Sequence, residues 1–310
     1  MPTRIKFVRC LTLLVFAILC YQTYAAEQAK DARPKVSFPH TDIFLFELSQ
    51  NNSSFTVKNP KNATNRQGYD NQPFFTKDSQ SFVFSRADDY QTDVYEYFLD
   101  TGDVRAITQS DATEFSPTPS PDNSKIAFVS DRNGGVWFGD RDSINTPKWT
   151  LKHSDNREPI GYFAWDHDKG NFFYWSRYGF SMALVNTNTN DYHFVAGNTP
   201  PSTPHIIPGT DQFSFVHRQM NDQVWIKALD PNTKAIRPIV PVMGTNNNYT
   251  WSPDGQILMI QNNVLFRFDP RKSEQWDKVV ELKDFNIVNA NRLAVSPNGK
   301  YLAVVGRVAK

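Results

Sequence analysis

Three carboxylates recur at one interval in the first half of the chain: Asp70, Glu114 and Glu158 are separated by 44 residues each. So constant an interval predicts equivalent positions in successive structural units. Carboxylates that meet near an axis repel one another unless a cation or a basic group joins them. The spacing therefore indicates either a Ca²⁺ site with these three ligands or a socket for a Lys or Arg of a partner. Alternatively, the carboxylates accept hydrogen bonds from turn amides and hold no ligand.

The sequence motifs of common enzyme classes are absent. The chain has no H-E-x-x-H, no P-loop and no G-x-G-x-x-G, and the string GFSMA at 179–183 lacks the closing glycine of a nucleophile elbow. The triplet DHD at 166–168 has the residue types of a metal site, but it occupies a turn position, which favours a solvated turn. We therefore expect a non-enzymatic protein.

The elements that would position these residues are short β-strands that recur along the chain. Six apolar runs end at residues 85, 130, 176, 217, 261 and 306, in steps of 41 to 46 residues. Each run follows a turn-like tetrapeptide such as SPDG at 252–255, in which Pro presets φ and Asp and Gly accept the remaining turn angles. With the strand before the turn and two further strand signals after the run, each unit holds four strands.

Four antiparallel strands repeated every ~40–45 residues predict an all-β fold, a six-bladed β-propeller. The C-terminal unit has only two strands, and DIFLFEL (42–48) and SFTVK (54–58) match the two that are missing. Closing the ring with strands from both termini removes exposed edges. An antiparallel sandwich is the alternative, although a sandwich has no reason to keep this spacing. The predicted organisation is a signal peptide at 1–25, a linker at 26–40 and the propeller at 41–310.

The register of the strand before each turn separates polar from apolar columns. Asp70, Glu114, Glu158 and Asn246 lie six residues before the turn, and His205 lies two before it. The polar column four residues before the turn is Gln72, Ser116, Ile160, Thr203, Asn248 and Arg292. Alternation places these columns at or near the channel mouth. We expect a ligand or partner to bind there through Asp70, Glu114, Glu158, Asn246, Asn248, Arg292 and His205.

Two further columns are predicted to be structural. The residues directly before the turns are apolar and should pack between blades: Phe75, Pro119, Phe163, Ile206, Trp251 and Val295. An arginine follows the second strand in four blades, at Arg86, Arg132, Arg177 and Arg218. Pairing of each arginine with a neighbouring carboxylate is the simplest interpretation.

The turns SPDN (120–123), SPDG (252–255) and SPNG (296–299), with the string KIAFVSDRNG (125–134), resemble the repeats of TolB-type propellers. The resemblance covers essentially the whole mature chain and implies a periplasmic protein that binds envelope partners. TolB-type proteins also carry a smaller α/β domain before the propeller, and the chain between Ala25 and Asp42 leaves no room for one. A role in the Tol system is therefore not implied. Some related propellers are lyases or lactonases with a metal in the channel, which is the alternative function.

The first 25 residues have the pattern of a secretory signal peptide. Arg4, Lys6 and Arg9 precede an apolar run at 10–21, and Ala25 ends a small-residue cleavage site. The run is too short for a membrane span, which needs roughly 20 residues. Cleavage after Ala25 would remove both cysteines of the chain, at positions 10 and 20. The mature protein would then need no oxidative folding.

Charge and composition restrict the partners. The chain has a net charge of +1, and loss of three basic residues with the signal peptide gives −2. A value near zero argues against electrostatic binding of nucleic acid. No second apolar run approaches a membrane span, so the mature chain is expected to be a soluble periplasmic monomer. Its expected partner is an envelope protein or peptide, and its cofactor, where it has one, Ca²⁺ in the channel.

Overall fold

The computed structural model describes residues 35–50, 55–142, 149–150 and 159–309. They form two compact units. In one, residues 35–37 lie with residues 88–91, and the Val36 N–H donates to the Asp89 carbonyl oxygen at 2.9 Å. The other unit comprises Phe38–Ala87 and Thr92–Lys310 and contains the strands. The predicted signal peptide lies outside the described residues.

The strands form six four-stranded antiparallel sheets, the blades of a propeller. Blade 6 combines both ends of the chain in the order β2-β1-β24-β23, with β1 at Asp42–Gln50, β2 at Phe55–Asn62, β23 at Ile287–Val295 and β24 at Tyr301–Val308. Blade 1 consists of β3 (Asp70–Phe75), β4 (Ser81–Ala87), β5 (Thr92–Phe98) and β6 (Val104–Ala106). Blade 2 consists of β7 (Glu114–Pro119), β8 (Lys125–Ser130), β9 (Val136–Asp140) and β10 (Trp149–Thr150).

The other three blades repeat this order. Blade 3 consists of β11 (Ile160–Asp166), β12 (Asn171–Ser176), β13 (Ser181–Asn186) and β14 (Tyr192–Ala196). Blade 4 consists of β15 (His205–Ile206), β16 (Phe213–Arg218), β17 (Val224–Leu229) and β18 (Ile236–Pro241). Blade 5 consists of β19 (Tyr249–Trp251), β20 (Ile257–Gln261), β21 (Val264–Phe268) and β22 (Asp277–Glu281), followed by a short 3-10 helix at Leu282–Phe285. No described helix has the length and apolar character of a membrane span.

Blade 6 closes the ring as predicted. Strand β1 pairs with β24 from Asp42 opposite Gly306 to Glu47 opposite Tyr301, and β24 pairs in turn with β23. The first and last strands of the chain thereby lie side by side at the centre of one sheet. Neither is left with a free edge, because β2 and β23 flank them.

The hydrophobic core lies mainly between neighbouring blades. One cluster joins Leu258 and Ile260 of blade 5 to Phe46, Leu302 and Val304 of blade 6, and all five side chains are fully buried. The equivalent cluster between blades 2 and 3 is formed by Ala127, Val129, Phe163 and Phe172, among others. Burying each large apolar side chain contributes about 1.5–3 kcal/mol. The blades therefore stabilise one another rather than folding around separate cores.

Five of the six predicted tetrapeptides form the turns between first and second strands; in blade 3 the predicted tetrapeptide at 164–167 lies mostly in β11, and the turn is at 167–170. In blade 5, the Ser252 hydroxyl donates to Asp254 Oδ1 at 2.5 Å, and Gly255 takes a φ of 84°. A left-handed φ of this kind is accessible to glycine without steric cost. The same side-chain bond recurs in three other blades, between Thr76 and Asp78, Ser120 and Asp122, and Ser296 and Asn298.

Candidate functional site: a cavity on the propeller axis

A cavity of about 350 Å³ lies where the first strands of the six blades meet. All six blades contribute side chains to its wall, for example Gln72, Ser116, Phe163, His205, Asn248 and Arg292. The lining continues to the turns that follow the first strands, including the exposed residues Lys77 and Pro121. The cavity therefore runs from the middle of the first strands toward the face that carries these turns.

The column four residues before each predicted turn supplies five polar residues of the lining. Gln72, Ser116, Thr203, Asn248 and Arg292 all line the cavity. The exception is Ile160, which is 2% exposed and packs in the core between blades 2 and 3. The turn of this blade lies at 167–170, whereas the count started from a turn predicted at 164–167, so the count fails in β11.

Two bulges place polar side chains in the cavity. Gln72 and Ser116 have φ values of 58° and 53°, and the pairing register shifts around each of them. This backbone conformation is uncommon for residues other than glycine. At a bulge, it turns the side chain away from the direction that regular strand alternation would give it. The Gln72 Oε1 atom accepts hydrogen bonds from the Ser85 hydroxyl at 2.9 Å and the Ser116 N–H at 2.7 Å. The Gln72 side chain is thus held in one orientation.

Arg292 brings a positive charge to the cavity wall. Its Nη2 atom donates to the Tyr162 hydroxyl at 3.1 Å, and the guanidinium lies 5.1 Å from the centre of the Tyr162 ring. The Arg292 charge holds the pKa of Tyr162 below its usual value. Burial raises the pKa of nearby Tyr69 to about 12, against a smaller opposing effect of Arg292. Within the described residues, no carboxylate forms an ion pair with Arg292.

His205 lies in the same cavity as a neutral side chain. Burial lowers its pKa to about 4, and the Arg292 charge acts in the same direction. A neutral ring allows Nε2–H to donate to the Tyr249 carbonyl oxygen, which lies 2.9 Å away. The ring also meets the Tyr249 ring edge-on at 4.8 Å between centroids. His205 is therefore fixed in one tautomer at neutral pH.

Prolines and aromatic rings form the apolar part of the wall. Pro73, Pro117 and Pro204 each lie three residues before a turn, and proline is tolerated there because a first strand has one unpaired edge. Phe74 and Ile206 are 37% and 38% exposed although they lie in the lining. The packing prediction is therefore wrong for Ile206, whereas Phe75, Phe163 and Trp251 of the same column are buried.

Asp70 lies among arginines instead. It is fully buried, and it forms ion pairs with Arg86 at 2.9 Å and Arg66 at 3.2 Å. The ion pair with Arg86 confirms the predicted carboxylate pairing for the first arginine of the column that follows the second strands. Two other members of that column also pair with carboxylates, Arg132 with Asp111 and Arg218 with Asp222.

Glu114 and Asn246 are also engaged by their own surroundings. Glu114 is 2% exposed, its Oε1 accepts from the Ser110 hydroxyl at 2.7 Å, and burial raises its pKa to about 7. Asn246 Nδ2 donates to the carbonyl oxygens of Ile260 and Asn291 at 2.8 and 2.7 Å. Neither these two residues nor Asp70 belong to the cavity lining. Glu158 lies outside the described residues, so joint binding by this column stays a prediction.

The donor groups do not make an evident metal centre. In the described part of the chain, no three His, Cys, Asp or Glu side chains converge in a way that would hold a metal ion. The two arginines paired with Asp70 would repel a cation. At the DHD triplet, Asp166 ends β11 and His167 and Asp168 lie in the following turn, and the His167 ring stacks on Trp165 at 4.1 Å.

Comparison with known proteins relates the chain through its fold. No protein-family model and no curated protein sequence matches it. A protein assigned as TolB from Agrobacterium tumefaciens superposes with a TM-score of 0.64 at 13% identity, over 87% of this chain and 99% of that one. TolB from Acinetobacter baumannii superposes with a TM-score of 0.55 at 14% identity, over 86% of this chain; the chain spans 64% of the length of that TolB.

An enzyme shares the same architecture. Oligogalacturonate lyase from Vibrio parahaemolyticus superposes with a TM-score of 0.53 at 11% identity, over 81% of this chain and 82% of that one. Sequence identities this low show that two proteins share a fold, but they do not show that the proteins share an activity. The chain has the TolB-like six-bladed β-propeller fold, which binding proteins and enzymes both use.

Proposed function

We propose that this protein is an exported, non-enzymatic propeller whose axial cavity binds an apolar segment of an envelope protein or peptide. The observation that carries the proposal is the cavity wall, which combines a large rigid apolar surface with few fixed polar groups. Sites of this composition bind ligands by apolar contact and orient them by hydrogen bonds.

The rigidity of the wall favours binding. Proline rings have no side-chain rotamers to lose, and aromatic rings have few, so ordering them on binding costs little conformational entropy. Phe74 and Ile206 also present apolar surface to the cavity that a ligand would cover. An extended peptide segment is long enough to contact several blades at once.

The proposed location in the envelope is supported by two features. The pattern at residues 1–25 is that of a signal peptide, and the fold is shared with TolB. A partner in the same compartment would be an envelope protein.

Selection from a random peptide library on the immobilised mature chain tests the proposal. Enriched peptides should bind with micromolar affinity, and Ile206→Asp should weaken them at least about tenfold because it places a charge in the apolar wall. Ile236→Asp is the matched control, since Ile236 is 41% exposed on β18 of the same blade and lies outside the cavity lining. Peptides that bind both variants equally would place the binding surface elsewhere and refute the proposal.

The alternative is a metal-dependent propeller enzyme of the lyase or lactonase type. It is supported by the shared architecture with oligogalacturonate lyase and by two histidines in the lining, His167 and His205. A metal site at these two histidines would also need a carboxylate or a third histidine that points to the same position. Calorimetric titration with Ca²⁺ and with Mn²⁺ separates the two functions. Binding heat lost in His205→Ala would favour the enzyme.

A further inference from the structure

The charges around the cavity are unbalanced. Lys77 and Arg292 are in its lining, and the described lining contains no Asp or Glu. The histidines add no compensating charge, because burial lowers the pKa of both His167 and His205. The axial cavity is therefore a positively charged site with apolar walls.

Among the described residues Arg292 has no acidic partner, unlike several other arginines of the blade sheets. Arg86 pairs with Asp70, Arg105 and Arg141 pair with Glu96, and Arg267 pairs with Asp277. In contrast, the hydrogen-bond acceptor of Arg292 is the phenol oxygen of Tyr162. The titratable groups that interact electrostatically with Arg292 are the phenols of Tyr162 and Tyr69. Arg292 is half-buried, and moving an arginine out of water without a counter-charge is costly. An arginine in this setting is a candidate site for an anionic ligand, which would supply the counter-charge.

The surroundings of Arg292 also fix its orientation. Tyr162 accepts a hydrogen bond from one edge of the guanidinium, and its ring lies against the guanidinium at 5.1 Å between the ring centre and the guanidinium carbon. The remaining guanidinium N–H groups form no hydrogen bond with the described residues. A planar guanidinium with a free edge matches the two oxygens of a carboxylate.

We propose that Arg292 is the anchor for a carboxylate in the axial cavity, supplied by the C-terminus or an acidic side chain of the bound peptide. The proposal rests on the proposed function and specifies the chemistry of its ligand. Prolines and aromatic rings surround the anchor, so an apolar residue adjoining the carboxylate would pack against the wall.

Two dipeptides that differ in one group test the anchor. N-acetyl-Pro-Phe carries a carboxylate, and N-acetyl-Pro-Phe-amide is its neutral counterpart of the same shape. Titrated into the mature protein at pH 7 and low salt, the acid should bind at least about tenfold more tightly than the amide. Arg292→Gln should bring the two affinities together. Arg237→Gln, which removes an exposed arginine on β18, should preserve the difference.

The outcomes separate this proposal from the proposed function. Equal binding of acid and amide to the wild type, both lost in Ile206→Asp, would overturn the carboxylate anchor and retain peptide binding. The carboxylate anchor would also be overturned if Arg292→Gln still bound the acid more tightly than the amide. Binding of neither dipeptide would refute the anchor, while peptide selection would still decide the broader function. The wild-type comparison stands even where Arg292→Gln fails to fold.

Discussion

Glu114 shows how burial changes the chemistry of one predicted site residue. Its Oε1 atom accepts from Ser110, whereas its Oε2 atom is buried and, within the described residues, has no hydrogen-bond partner. Burial penalises the charged form more than the hydrogen bond from Ser110 favours it, which raises the pKa of the carboxyl to about 7. At mildly acidic pH the side chain is therefore neutral in the folded protein.

Glu114→Gln should remove a pH dependence of stability. The folded pKa of about 7 exceeds the ordinary value of 4.5, so ionisation favours the unfolded chain as pH rises through this window. The wild type should lose about 3 kcal/mol of unfolding free energy between pH 5 and pH 8 through this group. The Gln variant, which mimics the neutral carboxyl, should lack that loss in urea denaturation at the two pH values.

The exposed Glu274 provides the control for this measurement, since Glu274→Gln should follow the wild-type pH profile. Parallel profiles for Glu114→Gln and the wild type would show that Glu114 is ionised in the folded protein across this range.

At the scale of elements, the blades are joined by charge as well as by apolar packing. Glu96 on β5 of blade 1 is fully buried and forms ion pairs with Arg105 of the same blade at 2.9 Å and with Arg141, which follows β9 of blade 2. The Ser81 hydroxyl donates to the same carboxylate at 2.6 Å. Such a cluster fixes how two blades meet, because removing one partner leaves a buried charge uncompensated.

Because β1 closes the ring, we expect Phe46→Ala to lower the unfolding free energy strongly. Phe46 is fully buried in the cluster between blades 5 and 6 and meets the Phe285 ring edge-on at 5.3 Å. Its truncation should cost about 3–5 kcal/mol of unfolding free energy, through lost burial and the cavity left behind. Denaturant unfolding of the mature protein measures this loss.

Phe194→Ala is the matched control, because Phe194 is 55% exposed on β14, the last strand of blade 3. Its effect should remain under about 1 kcal/mol. Similar small losses for both variants would mean that closure by β1 adds little to the stability of the propeller.

At the scale of the whole molecule, the proposed export predicts a defined mature N-terminus. Expressed in a bacterial host, the protein in the periplasmic fraction should begin at Ala26, and intact-mass measurement should show the loss of residues 1–25. Val15→Arg, which interrupts the apolar run, should leave the precursor uncleaved in the cytoplasm. Periplasmic protein that retains residues 1–25 would contradict the cleavage prediction.

The sequence by itself determined the architecture. The spacing of six apolar runs, their turn tetrapeptides and the half-units at the ends predict six blades and the closure of the last one, all of which the structure confirms. This was possible because each blade must bury its faces against its neighbours, so the same pattern of apolar residues and turns recurs in every repeat. The polar column that contains Gln72, Asn248 and Arg292 was predictable for the same reason.

The tertiary structure decided which polar residues share the axial cavity. The bulges at Gln72 and Ser116 depend on local pairing, and the turn of blade 3 lies three residues later than the sequence pattern predicts, which puts Ile160 in the core instead of the cavity. Asp70 and Arg292 fall in neighbouring polar columns, but their partners differ. Asp70 forms ion pairs with Arg66 and Arg86. Arg292 of blade 6 instead donates a hydrogen bond to Tyr162 of blade 3, on the opposite side of the propeller. Spacing along the chain places residues on strands, but partners such as Tyr162 beside Arg292 come from other blades, and only the closed ring brings them together.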